Sequence, residues 1–172
     1  MYNYRNSLLY WLDALDAYNE SELALRPAAN SWSIGQVYMH LLSETGYFFE
    51  QAVHCAGSVE NKQESWTTEA GYMFARNEFP DAIIEGPPTN QLTPQPVDRQ
   101  HIRIGLEKLL ETLDKLAPAL ANDRGGKSRH PGLGYFNALQ WLQFADMHLR
   151  HHKRQQQRLN EWLKNNRSSA NV

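Results

Sequence analysis

Cysteine is nearly missing from this chain. Cys55 is the single one in 172 residues, which excludes an internal disulfide framework and leads us to expect a reducing, cytoplasmic setting. Charge of one sign is missing as well. The 17 Lys and Arg residues stand against 19 Asp and Glu, a net charge of −2. That leaves no basic field for nucleic acid or for an anionic membrane. Long apolar runs are absent too. The opening stretch MYNYRNSLLYWLDALDAYNE is interrupted at Asp13 and Asp16, so neither a signal peptide nor a membrane span is expected. Alternating, β-branched segments are also scarce, and this argues against a sheet protein.

What is present is helical periodicity. Hydrophobic residues make up 41% of the chain, a globular share, and the length favours one domain. We expect it over residues 1–164, with a polar, frayed tail at 165–172. Four segments carry helical stripes. The first runs from about Tyr4 to Leu23, with Tyr4, Leu8, Trp11, Leu15 and Tyr18 on one face. The second opens at Ser33, where Ser33-x-x-Gln36 reads as a capping box, and continues to about Ala56. The third spans about Asp98 to Ala117, and Pro118 should end or kink it. The fourth runs from about Tyr135 to Leu163. Helices two and three are far apart in sequence. Residues Trp66 to Phe79 suit a shorter extra helix. Pro80 to Val97 holds five of the eight prolines and suits an extended surface crossover. The connection from Asn122 to Gly134 is rich in glycine. Long striped helices of this kind favour an all-α antiparallel bundle.

Seven histidines are the candidate functional residues. His148 and His152 stand four apart, so on a helix they project within roughly 40° of each other, one turn apart. Trp141, Phe144, Leu159 and Trp162 share their side of the wheel, so both imidazoles point inward. Buried imidazoles need partners, and a metal ion or a hydrogen-bond network would each serve. His40 is less decided. It sits roughly 110° from the apolar centre of its helix, among Gln36, Ser43, Glu44, Tyr47 and Gln51. That stripe suits either a solvated face or the wet wall of a site. Leu149 follows His148, so this is not the HExxH pattern of metalloproteases. Glu44 is the nearest candidate acid or base, one turn after His40. His151, on the edge of the inward face, reads as a partly exposed neighbour. His54, His101 and His130 read as structural or surface residues, with His130 near a pocket mouth.

Two motifs then carry a resemblance. Residues 32–41, WSIGQVYMHL, and 130–158, HPGLGYFNALQWLQFADMHLRHHKRQQQR, are similar to the second and last core helices of DinB-like proteins. The likeness extends from the first helix to about Trp162. It implies an up-down-down-up four-helix bundle, often a homodimer, with one long crossover between helices two and three. It also implies a divalent metal, zinc or nickel, on three histidines at the positions of His40, His148 and His152. Some DinB-like relatives are transferases or isomerases that use a low-molecular-weight thiol cosubstrate. A small-molecule substrate is therefore expected, handled by a thiol-dependent S-transferase or by a hydrolase. The alternative is a bundle that binds a metal or small ligand without catalysis. A structural zinc site normally has four protein ligands. Cys55 lies about four turns beyond His40, too far to supply the fourth.

Overall fold

A computed structural model describes residues 4–80 and 88–169. Residues 81–87 of the expected crossover and 170–172 of the expected tail lie outside them. The chain is mostly helical, with one small two-stranded sheet. No described helix is long and apolar enough to cross a membrane.

The first striped segment is two helices, not one. Helix α1 spans Tyr4–Ala14, a 3-10 turn spans Leu15–Ala17, and α2 spans Glu20–Ala24. The break lies at Asn19. Its side chain accepts from the Glu22 amide at 3.0 Å, and the Glu22 carboxylate accepts from the Asn19 amide at 3.0 Å. This reciprocal cap starts a new helix at Glu20. Helix α3, Ile34–Gly57, begins with the Ser33–Gln36 capping box as expected. Helix α4, Thr68–Arg76, is the extra helix; Thr67 caps it and Asn77 ends it in the left-handed region. Helix α5, Arg99–Ala121, passes through Pro118, which does not end it. The proline lies one turn from the helix end, where Asp114 is exposed, so the carbonyl it leaves unbonded faces water.

The glycine-rich connection folds into a hairpin rather than a plain loop. Strand β1, Lys127–His130, pairs antiparallel with β2, Gly134–Asn137, with His130 opposite Gly134. Segment 65–67 adds to its edge: Thr67 donates to the Leu133 carbonyl at 2.9 Å, and Tyr135 to that of Ser65 at 3.2 Å. Gly134 sits at φ +85°, with backbone atoms of Ser65 and Trp66 under 3 Å from where a Cβ would stand. Only glycine fits there without strain. Helix α6, Ala138–Ser169, therefore starts at Ala138 and not at Tyr135. Asn137 and Gln140 cap it reciprocally, at 2.9 and 2.8 Å.

Helix α3 packs against α5 and α6, and α1 packs against the same two. Between them lie Leu8, Trp11, Tyr38, Leu41, Phe49, Ile102, Leu106 and Trp141, all fully buried. Two polar tips inside this core are satisfied. Trp11 donates from Nε1 to the Leu149 carbonyl at 3.1 Å, and the Tyr38 hydroxyl to that of Trp11 at 3.0 Å. The α3–α6 seam is the one that positions the site.

Candidate metal centre

His40 comes from α3, while His148 and His152 come from successive turns of α6. The structure brings all three together. His148 Nε2 lies 3.2 Å from His40 Nε2 and 3.1 Å from His152 Nε2. One ligand nitrogen from each falls within 4.8 Å of the other two, so the group could hold a metal ion.

The protonation arithmetic tests that fit. An imidazole nitrogen carries either one hydrogen or one lone pair in the ring plane. His148 Nε2 therefore serves one of its two close neighbours well. A single in-plane hydrogen or lone pair cannot align with both neighbours, so the other contact is left poorly directed. A cation among the three nitrogens removes the conflict, because each lone pair then faces a positive charge. Ligand nitrogens about 2.0–2.1 Å from a tetrahedral zinc ion stand roughly 3.3–3.4 Å apart, close to the separations seen here.

Burial keeps these imidazoles neutral, the form that ligates. Desolvation lowers the pKa of His40 to about 4. For His152, desolvation and then the neighbouring His40 lower it to about 3. His148 is held well below its ordinary value by desolvation and then by His152 and His40. His148 is half-buried as a residue, yet its Nδ1 is sealed from solvent and has no hydrogen-bond partner among the described residues. His152 Nδ1, in contrast, lies 2.8 Å from Gln155 Oε1.

Rings close the site. Trp32 packs on His40 at 5.0 Å between centroids, Phe48 on His148 at 5.5 Å, and Phe79 on His148 at 6.1 Å. Trp32 touches the triad directly. Phe144 is one ring removed, against Phe48 and Phe79. Tyr47 and Trp141 pack on each other and on Phe48. Phe48 and Phe79 were not singled out in the sequence; Phe79 precedes the crossover and no helical stripe marks it. Gln155 was also missed, although three residues after His152 on a helix is a spacing that brings side chains together.

The wet wall expected around His40 is not what the fold builds. His40 and Gln36 are both buried. The wheel considers one helix alone, but the crossover returns over this stripe. Gln36 donates to the Thr93 carbonyl at 2.7 Å, and Ser33 to Gln95 Oε1 at 2.9 Å. Further along the stripe, Ser43 and Tyr47 stay exposed. Glu44 is half-buried, and burial raises the pKa of its carboxyl group. Among the described residues it makes no hydrogen bond to the triad. His151 is half-buried against Phe79 and His152, with Arg154 at 3.2 Å from its Nδ1. His54 and His101 are exposed, as expected. His130 ends β1 with its ring stacked on Phe136.

A cavity of about 390 Å³ lies beside this region, lined by Tyr72, Met73, Arg76, Glu78, Phe79, Pro80 and Arg154. Phe79 borders both it and His148.

No curated protein and no solved structure matches the chain. The family model of the DinB superfamily matches residues 4–156. That span contains the complete histidine triad, all of α3 and α6 as far as Gln156, and on this match the chain belongs to the DinB superfamily.

Proposed function

We propose that this protein is a metal-dependent enzyme acting on a small molecule, as a thiol-dependent S-transferase or a hydrolase. Its scaffold is an up-down-down-up four-helix bundle over residues 1–164, built on α1, α3, α5 and α6 and assembled as a homodimer. Each of the four helices packs on two of the others, which supports a closed bundle. The observation that carries the functional reading is the His148 Nε2 atom, caught between two other imidazole nitrogens at 3.2 and 3.1 Å.

His40, His148 and His152 would hold the ion, zinc or nickel. A divalent ion so held supplies Lewis acidity and lowers the pKa of water or of a thiol. The protein supplies the rest. Three neutral imidazoles leave the cation its full charge. Trp32, Phe48 and Phe79 exclude bulk water and strengthen electrostatic attraction at the site. Glu44, its pKa raised by burial, is the residue best suited to carry a proton. The cavity behind Phe79 has room for a small substrate.

Protein made without a histidine tag and purified without chelator should contain close to one divalent ion per chain by elemental analysis. Turnover should then be sought with thiols plus electrophilic acceptors, and with esters and amides. His148→Ala should lose both the ion and the turnover. Protein that takes no ion, even after Zn²⁺ or Ni²⁺ is added, would sink the reading. A bound ion without turnover across those panels would favour a non-catalytic metal- or ligand-binding bundle.

A further inference from the structure

We infer that Gln155 is a positioning residue that fixes the tautomer of His152 and so aims its Nε2 lone pair into the histidine cluster. The inference rests on the metal-centre reading above. The triad is asymmetric on its outer side. His152 Nδ1 meets Gln155 Oε1 at 2.8 Å, whereas His148 Nδ1 is buried with no partner among the described residues. An amide oxygen only accepts, so Nδ1 of His152 carries the hydrogen and donates it. In a neutral ring Nε2 is then bare. That is the atom lying 3.1 Å from His148 Nε2.

Both residues sit on α6, three apart, so the helix backbone sets the distance. Gln155 is half-buried and His152 is buried, so water competes weakly for Nδ1. The consequence is that His152 is prepared for a cation before one arrives. Before an ion arrives, the bare Nε2 of His152 favours hydrogen on His148 Nε2, and among the described residues nothing on the outer side of His148 holds a hydrogen on Nδ1.

The test has two arms. Long-range proton–nitrogen correlation NMR on the metal-free protein reads the His152 tautomer directly and needs no ion. Wild type should show hydrogen on Nδ1. Gln155→Leu, which keeps the length and removes the acceptor, should shift the population toward hydrogen on Nε2. In the second arm, competition with a chromophoric chelator measures Zn²⁺ affinity. Gln155→Leu should bind about 10–100-fold more weakly, and Gln155→Glu, which restores an acceptor, should recover most of that loss. Hydrogen on Nε2 in wild type overturns the inference. So does a Gln155→Leu protein with unchanged tautomer and unchanged Zn²⁺ affinity. A wild type that takes no Zn²⁺ defeats the metal-centre reading, while the NMR arm still decides for or against Gln155.

Discussion

Single residues around the hairpin set its stability. Gly134 holds φ +85° with the Ser65 carbonyl oxygen 2.7 Å from the place of a Cβ. Gly134→Ala should cost about 2–3 kcal/mol through strain and displaced backbone, read as a lowered denaturation midpoint. Phe136 is fully buried between His130, Phe74 and Phe144. Phe136→Ala leaves a cavity there, and about 3–5 kcal/mol of stability should be lost in urea titration. His130 gives a pH signature. Burial lowers its pKa to about 4, against about 6.5 in an unfolded chain. Between those values the unfolded chain binds a proton that the fold does not. Stability contributed by the neutral ring is therefore whole above about pH 6.5 and falls as pH drops toward 4. Allowing for partial exposure of the ring, about 2 kcal/mol is at stake. His130→Phe should flatten the decline in melting temperature across that window, and an unchanged slope would contradict the assignment.

Helices were the legible elements, because each carries its own signal. The Ser33–Gln36 cap and the stripe of α5 are local patterns, and both appear where they were expected. The Asn19–Glu22 cap was equally local but was outweighed by the continuous stripe from Tyr4 to Tyr18, which runs through α1 and the 3-10 turn up to the start of α2. The hairpin was illegible for another reason. Its strands are four residues each, and one edge leans on Ser65 to Thr67, some seventy residues earlier. The inward direction of His148 and His152 was readable from one wheel. The burial of His40 was not, since the α6 imidazoles that pack on it are remote in sequence. Ties between elements also lie beyond local patterns. Asp146 on α6 is buried, accepts from Ser7 of α1 at 2.6 Å and from Arg150 Nε at 3.0 Å. Arg150 in turn donates to the Asn77 carbonyl at the end of α4, at 2.6 Å. Asp146→Ala strands Ser7 and Arg150 together, so it should destabilise by about 2–4 kcal/mol. Asp146→Asn, which keeps an acceptor, should cost less; equal losses in chemical denaturation would argue that packing alone matters there.

For the whole molecule, an ion held by the triad would tie α3 to α6 beyond their packed rings and apolar side chains. Anything that binds the folded state alone stabilises it, by about 2.7 kcal/mol when free ion is a hundred times its dissociation constant. Removing metal with a chelator should therefore lower the melting temperature of wild type by several degrees. His148→Ala should show no such response, and a chelator effect that persisted in that variant would place the ion elsewhere. The separation of 108 residues between His40 and His148 has a consequence for the order of events. During synthesis His40 emerges long before its partners exist, and a lone imidazole holds a divalent ion poorly. The three-nitrogen set is complete only once α6 has docked on α3. On the metal-centre reading, loading would be a final inspection: a chain whose halves have failed to meet could not retain the ion, and metal content would count the molecules that finished folding.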